Sequence, residues 1–292
     1  MNITFLGIGL MGLPMTRRLL SGLPATDHRI TAWNRSAAKA APLALQGARV
    51  LENLQAAVAD ADVIFTMLEN GPAVNELLFA QGAAAHFKPG ALVVDMSSIK
   101  PAEAREHAAR LGELGVAHLD APVSGGTVGA EQGTLAIMAG GDVADFERAL
   151  TLFACLGRAT HVGPAGAGQL AKLANQMIVG ITIGAVAEAL LFAAKGGADM
   201  AKVREAIRGG FAESRVLELH GERMVQRDFA KRAALSVQLK DMRNALATAQ
   251  ESGFDAPITA LFEQLYASAA DHGFGDIDHS GLFMELARRN GG

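Results

Sequence analysis

Along the first 163 positions, short and continuously apolar runs alternate with stretches whose apolar residues recur every three or four positions. The runs are ITFLGI at 3–8, RITAW at 29–33, VIFTM at 63–67, ALVVD at 91–95, VAHLD at 116–120 and TLAIMAG at 134–140. Each is followed by turn or helix-start residues, and runs such as ALVV are too uniformly apolar for an edge. The pattern predicts βαβ units around a mostly parallel, doubly wound sheet whose strands are covered on both faces. The character changes at GPAGAG (163–168), which reads as a flexible hinge; beyond it only helical periodicity follows. The predicted organisation is an α/β domain over 1–163 and an all-α domain over 164–292. The second opens with a long linking helix over about 168–195, near ~40 Å at 1.5 Å per residue, ended by Gly196 and Gly197.

The composition narrows the partners. Of 292 residues, half are apolar and 19% charged, enough to bury a large core. With 26 basic and 30 acidic side chains and no block of like charge, nothing marks a nucleic-acid partner. Cys155, the single cysteine, excludes an internal disulfide framework and any multi-cysteine metal site, and it suits a reducing, cytoplasmic setting. The opening MNITFLGIG has no basic segment of a signal peptide. MIVGITIGAVAEALLFAA at 177–194 has nearly the length of a membrane span, but Glu188 would lie near its middle and the helix continues from the polar Gln169 and Lys172. It reads instead as a helix buried on nearly all sides, with Gly180 and Gly184 admitting close packing, and no membrane partner is expected. Its all-round apolarity predicts a homodimer or homotetramer built through the α domain. Asp271, His272, Asp276, Asp278 and His279 match no metal-ligand spacing and read as an interhelical turn, so no metal is expected.

Candidate chemistry begins with Gly7, Gly9 and Gly12, a G-x-G-x-x-G directly after the first strand and opening a helix. That context provides a tight turn, close backbone approach to a pyrophosphate, and helix N–H groups aimed at it, with Leu10 and Met11 inside the loop. At the end of the second strand, a site for NAD(H) usually places a carboxylate on the ribose hydroxyls. Here Asn34, Arg35 and Ser36 stand instead, a set suited to a 2′-phosphate, so NADP(H) is expected in preference to NAD(H).

With FLGIGLMGLPM at 5–15, DMSSI at 95–99, DAPVSGG at 120–126, GAGQLAKLANQ at 166–176 and LKD at 239–241, the sequence resembles the β-hydroxyacid dehydrogenase family over almost its whole length. IRGGFAESRVL at 207–217 and GDIDHSGL at 275–282 are most similar to its tartronate semialdehyde reductase branch. The resemblance implies hydride exchange between the dinucleotide and a small β-hydroxy acid or its semialdehyde, with Lys172 as catalytic acid and base. The helix agrees, since Asn175 and Gln176 follow Lys172 by three and four residues and share its face. An ammonium there can protonate the forming alkoxide while an amide fixes its position. Many relatives carry Asn four residues after the lysine, so Asn175 and Gln176 both stand as substrate-binding candidates. By resemblance Ser124, Gly125 and Gly126 hold the small substrate's carboxylate, for which a hydroxyl and unhindered N–H groups suffice. Met67, Leu68, Ser97 and Lys240 are assigned to the cofactor in the same way. Arg215 reads as a solvated helix charge.

Three other readings fit parts of the pattern. One is a 3-hydroxyisobutyrate or other short-chain semialdehyde dehydrogenase; another is an imine reductase on the same scaffold, a branch that commonly lacks the lysine. The third is a non-catalytic dinucleotide-binding module whose helices serve assembly, of which loss of the lysine would be the mark.

Overall fold

A computed structural model describes residues 1–291. The chain separates into two compact units, one spanning Met1–Lys172 and one beginning at Leu173. The strands of the first are β1 (Asn2–Leu6), β2 (Arg29–Trp33), β3 (Arg49–Val50), β4 (Val63–Thr66), β5 (Leu92–Asp95), β6 (Ala117–Asp120), β7 (Val123–Ser124), β8 (Leu135–Gly140) and β9 (Gly157–Gly163). Its helices are α1 (Gly12–Gly22), α2 (Ala41–Ala44), α3 (Leu54–Val58), α4 (Gly71–Asn75), α5 (Pro101–Gly112), α6 (Gly126–Gln132) and α7 (Val143–Leu156), followed by the start of α8 (Ala167–Lys195).

Among the described residues the nine strands form one sheet in the order β3-β2-β1-β4-β5-β6-β8-β7, with β9 also on β8. All pairings are parallel except those of β8 with β6 and β7. The order reverses at β1, which lies between β2 and β4, and that switch point opens a crevice at the carboxyl ends of the strands. Alternate side chains feed two apolar layers. Phe5 and Phe65 stack at 5.7 Å within the layer packed by α1 and α7. Leu6, Ile64 and Val93 face the other, with Ala104 and Leu111 of α5.

The apolar runs correspond to β1, β2, β4, β5, β6 and β8, and the discrepancies have physical causes. β1 ends at Leu6, two residues before its run ends, because Gly7 turns the chain at φ 101°. β9 escapes notice because it is half exposed along its length, so GRATHVG shows no apolar run. β3 and β7 have two residues each, too few for any periodicity. The expected hinge at 163–168 is a close-packed joint: Gly166 and Gly168 are buried, and a Cβ on Gly168 would stand 2.3 Å from the Asp120 carbonyl oxygen. Glycine serves proximity there.

The second unit contains the rest of α8 with α9 (Met200–Ile207), α10 (Arg215–Gln226), α11 (Leu235–Glu251), α12 (Pro257–Ala269) and α13 (Leu282–Arg289). Ile183, Ala187 and Leu190 of α8 enter its core with Met242, Tyr266 and Phe283. By length and composition alone α8 could cross a membrane. Its glycines, however, are filled from within the unit. A Cβ on Gly180 would meet Gln238 and Met242 of α11 at 2.5 Å, and one on Gly184 would meet Phe262 of α12 at 2.0 Å. Tyr266 also donates its hydroxyl hydrogen to the Gly180 carbonyl at 3.2 Å. The close approach that Gly180 and Gly184 admit is thus made within the unit.

Candidate active site

The glycine loop has the form its spacing implies. A Cβ on Gly12 would lie 2.0 Å from the Gly7 carbonyl oxygen, and one on Gly7 would lie 2.3 Å from that of Met67. Both positions are closed to larger residues. Gly9 has nothing within 4 Å of the Cβ direction, and Leu10 beside it is exposed, so the middle of the loop faces open space at the mouth of α1. The N-cap of α1, Met11, makes no side-chain cap; the Leu13 N–H is taken by the Gly9 carbonyl at 3.1 Å and Pro14 has no N–H, so what faces the open space is the loop backbone up to Gly12 and the positive end of the helix. This open cradle fits a dinucleotide pyrophosphate.

Asn34 is committed to the same loop. Its Oδ1 accepts from the Ile8 N–H at 2.9 Å and its Nδ2 donates to the Ser36 carbonyl at 3.0 Å. It braces the glycine turn against the end of β2, leaving Arg35 and Ser36 as the exposed pair beside the cradle. Ser97 is likewise structural in its side chain. It is fully buried, and its Oγ accepts from the Leu68 N–H at 2.9 Å, which fixes the Met67–Leu68 segment over Gly7. The Ser97 N–H donates to Asp95 Oδ1 at 3.0 Å, as does Thr66 Oγ1 at 2.8 Å. Burial pushes the Asp95 carboxyl up to about 6 against the hydrogen bonds from Ser97 and Thr66.

Asp120 lies beside Asp95 in the sheet register and is also fully buried. Its oxygens accept from the Gly166 N–H at 2.7 Å and the Gln169 N–H at 2.8 Å, a carboxylate set on the positive start of α8. Burial raises its carboxyl, opposed by these backbone bonds. Gln169 extends the connection: Oε1 accepts from the Ile99 N–H at 3.0 Å and Nε2 donates to the Ser97 carbonyl at 2.8 Å. Lys172 follows three residues later and is buried, 8% exposed. Neither Asp95, Asp120 nor Gln169 stood among the sequence candidates. The available signal was a carboxylate ending each of two adjacent apolar runs, where burial demands partners.

Ser124 closes β7, and Gly125 (φ 136°) and Gly126 (φ 62°) turn the chain into α6. Nothing lies within 4 Å of the Cβ direction at Gly126, so that turn also offers unhindered backbone at the carboxyl edge of the sheet.

In the second unit the two amides after the lysine differ in their partners. Gln176 Nε2 donates to Asp241 Oδ2 at 2.7 Å and to Gln238 Oε1 at 3.2 Å, while Gln238 returns a bond to the Gln176 carbonyl at 3.0 Å. Gln176 therefore joins α8 to α11. Asn175 donates to Gln176 Oε1 at 2.9 Å, so its amide is oriented by that network. Lys240 pairs with Asp241 at 3.3 Å and is half-buried, which places it in the same cluster.

Farther along, donor atoms of His220, Asp278 and His279 approach within 4.8 Å of one another. Asp278 there accepts from Ser280 Oγ at 2.6 Å and from Arg223 at 3.1 Å. A fixed guanidinium takes the place a cation would occupy, and the knot ties α10 to the turn before α13. Arg215 is exposed and pairs with Glu218 on its own helix.

A glycine cradle at the switch point of a mostly parallel sheet, with a buried lysine in the first turns of α8, fits a dinucleotide-dependent enzyme. Comparison with known proteins gives the family. Residues 2–163 match the model for the NAD-binding domain of 6-phosphogluconate dehydrogenase, and residues 166–286 match that for the NAD-binding region of NADP-dependent 3-hydroxyisobutyrate dehydrogenase. The chain is 43% identical to a 2-hydroxy-3-oxopropionate reductase of Escherichia coli, covering 98% of this chain and 97% of that protein. It is 34% identical to a 2-(hydroxymethyl)glutarate dehydrogenase of Eubacterium barkeri, covering 99% and 96%. A solved Mycobacterium tuberculosis 3-hydroxyisobutyrate dehydrogenase with L-serine superposes with a TM-score of 0.88 at 32% identity, covering 98% of each chain. The chain belongs to the 3-hydroxyisobutyrate dehydrogenase family and is an enzyme of the hydroxyacid dehydrogenase class.

Proposed function

We propose that the protein is a cytoplasmic, NADP(H)-preferring semialdehyde reductase whose best substrate is 2-hydroxy-3-oxopropionate (tartronate semialdehyde), with D-glycerate as product. The observation that carries the reading is Lys172, a buried lysine on a helix start pinned to Asp120 at the end of β6, in the sheet whose first strand ends in the glycine cradle. The 43% identical reductase supports the choice of substrate. A bound nicotinamide dinucleotide supplies the hydride. Lys172 donates the proton to the aldehyde oxygen as negative charge develops on it, and takes one back in the oxidative direction. Ser124 and the backbone of Gly125 and Gly126 hold the carboxylate, and Asn175, oriented by Gln176, holds the reacting oxygen. Arg35 and Ser36 receive the 2′-phosphate, and Lys240 contributes to cofactor binding.

The test is loss of NADPH absorbance with tartronate, methylmalonate and succinate semialdehydes and with glyoxylate. Tartronate semialdehyde is expected to exceed the others in kcat/KM by about tenfold or more if the site, like that of the related reductase, receives a 2-hydroxyl, since a polar site left unpaired penalises analogues that lack it. Absence of turnover with every aldehyde would remove the proposal, and a faster methylmalonate reaction would move it to the 3-hydroxyisobutyrate branch.

Assembly as a homodimer or homotetramer through the helical unit belongs to the same proposal. Since Gly180 and Gly184 are filled internally, the surface that supports it comprises the exposed Ile178 and Phe192 of α8 and Ile258 and Leu261 of α12. Light scattering at micromolar concentration is expected to give a multiple of the chain mass, and Phe192→Asp to lower it; a monomer in the wild type would overturn this part.

A further inference from the structure

We propose that Gln169 is a positioning residue for the reaction, setting the place of Lys172 through a two-ended amide clamp. The inference rests on Lys172 being the proton donor. Gln169 is fully buried and sits three residues before Lys172, on the same stretch of helix face. One end of its amide accepts from the Ile99 N–H and the other donates to the Ser97 carbonyl, while its own backbone N–H is held by Asp120. Ser97 in turn holds the Leu68 N–H, and the Met67–Leu68 segment lies against Gly7 of the dinucleotide loop. Hydrogen bonds thus run from the Leu68 N–H through Ser97 to the first turn of the lysine's helix, and close backbone packing joins Met67 to the glycine loop.

The chemistry of the clamp selects glutamine. Its partners are one backbone donor and one backbone acceptor, so the side chain needs one group of each kind about two methylenes from the helix. Glutamate would set an acceptor against the Ser97 carbonyl and add charge beside Asp95 and Asp120. Asparagine falls short by a methylene, and methionine fills the volume while leaving both backbone groups unpaired in the interior. None of these changes touches substrate or cofactor. Each removes the side-chain part of the tether and leaves the first turn of α8 held only by its backbone bonds to Asp120, and a displacement near 1 Å at a proton-donating group is enough to cost on the order of 10²-fold in rate.

The experiment is a double-mutant cycle read at saturating NADPH and aldehyde, using Gln169→Met, Lys172→Ala and both together in the full-length protein. Gln169→Met is expected to lower kcat by about tenfold or more, with KM for NADPH within about threefold of wild type. In the Lys172→Ala background the same change is expected to lower the residual kcat less than about twofold, because its effect passes through the lysine. Multiplicative losses in the cycle, or a wild-type kcat in a folded Gln169→Met protein, would overturn the proposal while leaving Lys172 in place. A wild-type kcat in Lys172→Ala alone would instead remove the reading beneath it. Should the methionine variant fail to fold, Gln169→Asn keeps an amide in the site and is read through the same cycle with the same expectations.

Discussion

Lys172→Ala is expected to lower kcat by about 10²-fold or more, the usual scale for loss of a general acid, while leaving NADPH binding close to that of the wild type. The separation follows from where the groups lie. The cradle formed by Gly7, Gly9 and Gly12 and the exposed Arg35 and Ser36 are built from the ends of β1 and β2 and do not include the lysine. Lys172→Arg is the sharper variant, because arginine keeps the positive charge but holds its proton too tightly to exchange it in each turnover. It is expected to bind cofactor and substrate and to remain nearly as slow as the alanine variant. Fluorescence titration with NADPH and steady-state kinetics on the three proteins measure both quantities. Near wild-type kcat in the arginine variant would make Lys172 an electrostatic anchor and assign the proton to another group.

Arg35→Asp is expected to reverse the cofactor preference. Arg35 and Ser36 are exposed beside the glycine loop, so the exchange should disturb the fold little. Losing a charge-assisted bond to the 2′-phosphate costs about 1.5–3 kcal/mol, about 10- to 150-fold in kcat/KM for NADPH. The introduced carboxylate repels that phosphate and accepts from the free ribose hydroxyl of NADH. The measurement is kcat/KM for NADPH and NADH in both proteins. Equal efficiencies in the wild type would show that Asn34, Arg35 and Ser36 do not select the cofactor.

What the chain discloses on reading depends on how many residues share a signal. β1, β4 and β5 are buried on both faces, and each writes a run of apolar letters; the glycine loop is legible because backbone proximity admits no other residue. β9, half solvated, leaves no such trace. The polar groups that fix the site were illegible for a different reason. Asp95, Asp120 and Gln169 look like ordinary hydrophilic residues until the sheet register sets two carboxylates side by side and brings α8 onto them. The same holds for Gln176. Helical spacing alone puts it on a par with Asn175, and its bonds to Gln238 and Asp241 on α11 become visible only in the structure. Gly180 and Gly184 mark close approach in the sequence by their spacing, and the structure supplies the neighbours, α11 and α12.

The anchoring of α8 by Asp120 also bears on how the chain could be divided or recombined. A polypeptide stopped at 163 would keep every strand of the sheet yet lose the Gly166 and Gln169 amides that close on Asp120, and the clamp on Ser97 and Ile99 with them. It would lose two backbone hydrogen bonds to a carboxylate, each of about 1.5–3 kcal/mol, against a total domain stability of about 5–15 kcal/mol. The sheet is therefore complete only when the first turn of the following helix comes with it. An exchange of helical partners in evolution would succeed most readily with its crossover beyond Lys172, where the first compact unit ends, so that the lysine travels with the nucleotide-binding half.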